Sequence, residues 1–377
     1  MKIQRLMAVA KKESLHILRD WRSLYLSLAI PVILIMLFGY ALTLDLRNVS
    51  MVIWDQSHSI ESRKLQSMFE GSPYFYISGT HDSYQGLQLA IERGTAIVAI
   101  IIPSDFAKKI RAGKTTQIQI IGDGSDANTS RLAMGYASTI GLIYSSQVTA
   151  KRMQLLGATR MAQPVEMVNR AWYNQDLRSQ NVIIPGIIAI VMVVIAAMLT
   201  SVTIAREWET GTMEQLISTP LKGPELIFGK VLPYFAIGMT DVALAVMMGK
   251  WLFHVPIVGN AALLFVLAAV FLTGSLFWGM FLSIVLKSQV LANQIAIVSG
   301  YLPTLILSGF VFAIENMPLP IQCITYLVPA RYFIAILRGI YLKGIGLEIL
   351  WLDAVLLCLY AGIMILLANK KFKFKLE

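Results

Sequence analysis

The sequence predicts a polytopic α-helical membrane protein with six transmembrane helices and an α/β extracytoplasmic domain inserted after the first. Three observations predict it. Hydrophobic residues make up 56% of the 377 and charged residues 14%, against about 25% charged in soluble domains, and the mean hydropathy is +0.65. Apolar stretches of about 20 residues or more recur along the chain, each long enough for the roughly 30 Å hydrocarbon core of a bilayer. Between the first and second of them lies a long polar interval in which strand and helix signals alternate.

The 32 Lys+Arg against 22 Asp+Glu give a net charge of +10. In a soluble chain that excess would point to nucleic acid. Here the basic residues flank apolar segments, so they read as topology signals and contacts to membrane lipids, and no nucleic-acid partner is expected. Cys323 and Cys358 fall in different environments, which argues against a disulfide framework or a metal cluster.

Residues 1–23 open the chain. Ile3, Leu6, Met7, Ala10, Ile17, Leu18 and Trp21 fall on one face of a helix, and Arg5, Lys12, His16, Arg19 and Asp20 on the other. That pattern predicts an amphipathic helix at a membrane surface; a plain basic topogenic segment is the alternative. Its lysines and arginines place it in the cytoplasm. Residues 24–44 form the first span, too long for a signal-peptide core and read as uncleaved.

Residues 45–181 contain no stretch long enough to cross a bilayer. Strands are predicted over 49–54, 74–77, 95–102 and 116–121. Helices are predicted up to Phe69, over 84–93, opening at Pro103, and over about 128–156. The alternation predicts a small α/β domain, outside the cytoplasm after a single crossing. Residues 182–377 form the remaining transmembrane domain, with spans at 182–204, 231–253, 260–286, 292–314 and 348–368. The loop 205–230 returns to the cytoplasm, as does the lysine-rich tail from Lys370, so both termini lie inside. The outer segment 315–347 is either a re-entrant hairpin buried against the spans or an interfacial helix with Tyr332, Phe333 and Tyr341 as an aromatic belt.

No enzyme motif emerges. Gly113-Lys114-Thr115 resembles the end of a phosphate loop, but Lys108 stands where the first glycine is needed. Residues 223–231 carry one residue too many between the glycines, and Val231 replaces the magnesium-binding hydroxyl. His16, His58, His81 and His254 are scattered. No catalytic, cofactor or metal residue is assigned, and the chain itself is not expected to be an enzyme.

The loop 205–230 is unusual for a cytoplasmic one because it is acidic. Gly211 interrupts the helix leaving the membrane, Thr212 and Gln215 fit a capping box, and a short helix must end by Pro220. Pro224 suits the first turn of the next helix. Glu207, Glu209 and Glu214 are expected to face the cytosol and a basic protein partner; a merely solvated loop is the alternative.

The run Arg-Glu-Trp-Glu-Thr-Gly-Thr-Met-Glu-Gln-Leu-Ile-Ser-Thr-Pro at 206–220 resembles the hallmark of type-2 ABC transporter permeases, the membrane subunits of bacterial exporters. Residues 11–20 resemble that family's connecting helix, residues 327–344 its outer segment, and the large inserted domain its multidrug-type branch. The resemblance covers essentially the whole chain. It implies an inner-membrane permease that exports amphipathic drugs, lipids or similar molecules. A separate cytoplasmic ABC ATPase would bind ATP-Mg, a second identical or paralogous permease would complete the pathway, and a periplasmic adaptor is a possible further partner. Carried onto this chain, it implies coupling contacts at Glu207, Glu209, Thr212, Glu214 and Leu216, with Arg19 and Asp20 on the N-terminal helix.

Asp241 falls in mid-span, where an ionisable residue is costly. It binds a cation or pairs across subunits in one reading, and hydrogen-bonds within the bundle in the other. With Arg331 and Arg338 it makes up the candidate pathway set. Two other functions remain open at this level: an ion-coupled secondary transporter built on Asp241, and a non-transporting assembly protein whose outer domain does the work.

Overall fold

The computed structural model describes residues 2–41, 48–155, 172–174 and 178–372. Two compact units appear, one from residues 1–43 with 170–377 and the other from 44–169. The expected end of the first span at 44, most of the stretch 156–181, and the tail beyond 372 lie outside the described residues.

The membrane unit opens with α1 (Ile3–Arg19) and α2 (Trp21–Ala41). In α1 the apolar arc is split. Val9, Ala10 and the acid Glu13 are buried, whereas Ile3, Met7 and Leu18 remain exposed. At 21 residues α2 rises about 31 Å, although its apolar stretch Ser27–Tyr40 is shorter.

The second unit runs β1 (Val49–Asp55), α3 (Ile60–Glu70), β2 (Phe75–Thr80), α4 (Tyr84–Glu92), β3 (Val98–Ile102), α5 (Phe106–Ala112), β4 (Gln119–Gly122) and α6 (Ala127–Leu155). β1 is parallel to both β2 and β3, and β3 is antiparallel to β4 although α5 lies between them, giving the order β2-β1-β3-β4. The period of two sorts the side chains. Met51, Ile53, Val98 and Ile100 enter one core with residues of α3, α5 and α6; Val52, Ala99 and Ile101 enter the other with Leu87 and Ala90 of α4. Burial on both faces explains why β3 reads as an unbroken apolar run. Pro103 does not open the next helix. It sits in a turn, its carbonyl accepting the N–H of Phe106 at 3.0 Å, and α5 starts only at Phe106.

The membrane unit resumes with α7 (Gln180–Thr200), α8 (Thr203–Glu209), α9 (Thr212–Ile217), α10 (Gly223–Trp251), α11 (Ala261–Leu286), α12 (Gln289–Leu307), α13 (Leu319–Thr325), α14 (Pro329–Arg338) and α15 (Leu347–Lys371). Apolar α7 is the buried centre against which the others pack. Among the described residues five helices are long and apolar enough to cross a membrane, and α13 with the α14 segment extending to Lys343 forms a further pair bent by 81°. The third span starts earlier than expected, at Gly223, because Pro224 occupies the first turn and Pro233 is absorbed. The fifth ends earlier, at Leu307 rather than 314.

In the segment 315–347, α13 and α14 form a bent pair of which α14 is buried and α13 is largely exposed. Phe333 and Tyr341 are fully buried, Phe333 stacks on Phe271 with ring centroids 4.3 Å apart, and Tyr332 is 9% exposed. These rings pack against protein, so they form no lipid-facing belt.

Gly229 sets the approach of α1 to α10. A Cβ there would lie 2.7 Å from Val9 Cβ and 3.0 Å from the Leu6 carbonyl oxygen. Gly229→Leu should therefore cost about 1–3 kcal/mol by overpacking and undock α1, seen as faster tryptic cleavage at Arg5 and Lys12 in the full chain. In the second unit Arg111 binds Glu61 through two hydrogen bonds of 2.8 and 2.9 Å, and this holds the Glu61 carboxyl below its ordinary value. A depressed carboxyl stabilises the fold above its unfolded value and loses that contribution as pH falls through the folded one. The stability difference between the full chain and Arg111→Ala, read by pulse proteolysis of the second unit, should thus be small at neutral pH and vanish in acid.

Candidate functional site

The site grows from the way α7 ends. The Thr200 hydroxyl lies 2.8 Å from the carbonyl oxygens of both Ala196 and Leu276. After a two-residue break α8 starts, and the N–H groups of Ile204 and Ala205 donate to Ser283 Oγ of α11 at 3.0 and 2.9 Å. A helix start that would otherwise leave orphan donors is thereby anchored to a neighbouring span. Gly211 has φ +73°, a left-handed conformation that favours glycine, and turns the chain into α9.

The expected capping box does not form. Gly211 takes the N-cap position, and the Thr212 hydroxyl donates to the Glu207 carboxylate instead. A nearby acceptor has taken the hydroxyl that would have capped α9.

Glu207 belongs to a buried ionic junction. Lys230 of α10 places Nζ 2.9 Å from Glu207 Oε1 and 3.1 Å from Glu13 Oε2 of α1. The Tyr234 hydroxyl donates to Glu13 Oε1 at 2.8 Å, and Lys12 Nζ lies 3.6 Å from Glu207. Lys230 is 3%, Glu13 5% and Glu207 9% exposed. Lys230 is shared by the two buried carboxylates, and Lys12, whose side chain is 59% exposed, adds a second positive charge from the rim.

Further ties surround the junction. Arg5 donates to the Pro220 carbonyl and lies 3.9 Å from Glu225. Glu225 accepts the N–H groups of Lys2 at 2.7 Å and Lys222 at 3.1 Å. Arg206 donates to His16 Nε2 at 3.0 Å. A cavity of ≈ 340 Å³, lined by Lys12, His16, Arg206, Glu207 and Thr212 among others, opens beside these groups.

The sequence-predicted residues separate accordingly. Glu207 and Thr212 meet, and Glu207 is not a free charge. Glu209 is also engaged, accepting from the Gln289 backbone at 2.8 Å and its side-chain amide at 2.6 Å, so α8 is tied to the start of α12. Of the three loop acids expected to face solvent, Glu209 and Glu214 are exposed, and Glu214 alone has a side chain with no described hydrogen bond or ion pair. Leu216 is half-buried against the main core. Arg19 is exposed at the end of α1, and Asp20 caps that helix beside a smaller cavity shared with His16 and Arg206.

The pathway set is not one contact group. Asp241 is 1% exposed, and neither of its carboxylate oxygens has a hydrogen-bond partner among the described residues; the expectation of a hydrogen-bonded core aspartate is therefore not met. Arg331 donates to Thr325 and lies over the Tyr326 ring at 3.9 Å. Arg338 donates to the Phe310 carbonyl at 3.4 Å.

Glu13, Lys230, Tyr234, Arg5 and Glu225 were missed as site residues. A signal existed for two of them. Glu13 is an acid inside the apolar arc of α1, and Lys230 stands one helical turn before Tyr234 in an otherwise apolar helix. Their pairing needs three dimensions.

A family model described as ABC-2 family transporter protein matches residues 21–370. The chain is 35% identical over 376 residues to the probable multidrug ABC transporter permease YbhS of Escherichia coli K12, covering 99% of this chain and 98% of that one. It is 28% identical over 347 residues to the probable multidrug ABC transporter permease YbhR of the same strain, 92% of each chain. It is 24% identical over 339 residues to that strain's inner membrane transport permease YhhJ, covering 88% and 86%. With a family model over residues 21–370, apolar helices long enough to span a membrane and relatives along nearly its full length, this chain belongs to the ABC-2 family of transporter permeases.

Proposed function

We propose that the chain, a membrane permease subunit of an ABC exporter, receives its driving motion through α8, α9 and α1 from a separate cytoplasmic ATPase that holds ATP-Mg. The observation that carries this reading is Lys230, buried between Glu13 of α1 and Glu207 of α8. A push on α9 or α1 passes through that contact into α10, which is long enough to span a bilayer. Glu214 stands exposed on α9 and is the proposed contact with a basic cleft of the ATPase. Arg19 and Asp20 are weaker contacts of the same surface.

The finer reading has six spans, with α2 as the first, and both termini in the cytoplasm. The α/β unit then lies outside, where it is available to a periplasmic adaptor. A second permease, identical or paralogous, completes the pathway in the inner membrane. Amphipathic drugs or lipids are the proposed cargo, in line with the multidrug names of two relatives. Asp241, a buried carboxyl without a described partner, is proposed to accept a hydrogen bond from cargo or from the second subunit. Arg331 and Arg338, on the bent outer hairpin, are proposed to hold the outer end closed.

Two variants test the coupling assignment. Glu214→Lys should leave stability within about 0.5 kcal/mol, since the site is exposed, yet reduce co-purification of the ATPase from the native host. Unchanged complex yield would remove Glu214 from the interface. Lys230→Met strands two buried carboxylates and should cost about 3–5 kcal/mol. Adding Glu13→Gln and Glu207→Gln should recover most of the thermal stability but not ATP-driven efflux; recovered efflux would reduce the junction to a purely structural role.

A further inference from the structure

An uncharged cavity of ≈ 320 Å³ lies among α7, α11, α12, α15 and the turn between α13 and α14. None of the described residues lining it carries a charge. Trp278, Leu307, Leu327 and Met364 supply much of an apolar wall, and the size falls in the range of small-molecule pockets.

The polar groups in this wall fall into two sets. Ser275 and Ser299 are engaged internally: their hydroxyls donate to the carbonyls of Phe271 and Ile295, and Ser299 Oγ accepts the Trp278 indole N–H at 3.2 Å. Thr304 and Tyr360 are not engaged. The Thr304 side chain is 3% exposed, and neither hydroxyl makes a hydrogen bond to any described residue. A buried hydroxyl without a partner is costly. Pro303, also in the wall, has no N–H to offer the Ser299 carbonyl one turn earlier. The Tyr360 ring is seated by close packing, since a Cβ on Gly274 would lie 2.5 Å from it. The cavity thus has two hydroxyls without a described partner in apolar surroundings.

We propose that this cavity binds a neutral, largely apolar molecule through one oxygen group that accepts hydrogen bonds from the Thr304 and Tyr360 hydroxyls. A cationic head is excluded because no carboxylate in the wall meets it and burial would strip its water. The same chemistry is offered by a free long-chain alcohol-like compound and by the acyl ester of a membrane lipid. The inference rests on the exporter reading only for the fate of the bound molecule; binding itself needs no ATPase.

The test uses the full chain, without ATPase, in phosphatidylcholine vesicles and three photoactivatable probes. These are dodecanol with a chain diazirine, the same chain with a trimethylammonium head, and a phosphatidylcholine with a diazirine acyl chain. Crosslinks are mapped by mass spectrometry. Peptides holding Trp278, Thr304 and Met364 should be labelled by the alcohol about tenfold or more above the trimethylammonium probe. Unlabelled dodecanol should compete. Thr304→Val with Tyr360→Phe should lower that labelling by roughly threefold or more at unchanged melting temperature. Labelling of the same peptides by the phosphatidylcholine probe identifies a lipid source, and labelling by the alcohol alone identifies a free molecule; each supports the site. Equal labelling by both head groups, or labelling no stronger than on the exposed face of α12, overturns it. The head-group comparison needs no variant, so it decides even if the double substitution fails to fold. A missing ATPase in the pull-down would refute the coupling reading while leaving this binding result standing.

Discussion

A buried lysine organises one end of the membrane unit. Lys230 is 3% exposed, and its ammonium is held by carboxylates from two other elements, Glu13 and Glu207. An unpaired charge in that position costs several kcal/mol, so α1, α8 and α10 must come together for any of them to be buried. The constraint is directional as well as energetic. Tyr234 fixes one carboxylate and Thr212 the other, so the loop acids are not interchangeable. The family hallmark at 206–220 is in this sense a set of contacts and not a string of surface charges.

Around that junction the membrane unit is built by ordinary apolar packing. α7 has almost no polar face and serves as the post on which α10, α11, α12 and α14 lean. Where helices come close, small side chains permit it, as Gly229 does for α1 on α10. Where a helix is broken, the exposed backbone groups are met by a neighbour, as Ser283 meets the start of α8. This satisfies the requirement that backbone polar groups at membrane depth find partners within the protein. The uncharged cavity between α11, α12 and α15 departs from that economy, with two hydroxyls that have no partner among the described residues.

The second unit follows different rules and was easier to read. Its strands alternate with helices at short spacing, and a residue period of two sends Met51 and Ile53 to one core and Val52 to the other. Local signals therefore carried most of its architecture. They failed at Pro103, which suits a helix start in general but here completes a turn before one.

The sequence by itself determined the solvent, the apolar helices and the αβ alternation, because each depends on composition and on periods of 3.6 and 2 within a single segment. It also located the proposed coupling loop, since Glu207, Glu209, Gly211, Glu214 and Pro220 form a local pattern. It did not determine what those residues touch. Glu207 and Glu209 look like free charges along the chain, yet they bind Lys230 and Gln289 from other helices. Tyr332 and Phe333 look like a membrane belt, yet they are core. Only the tertiary structure decided these points. A charge or a ring is assigned to solvent, lipid or protein by what lies across from it, and that neighbour comes from tens or hundreds of residues away.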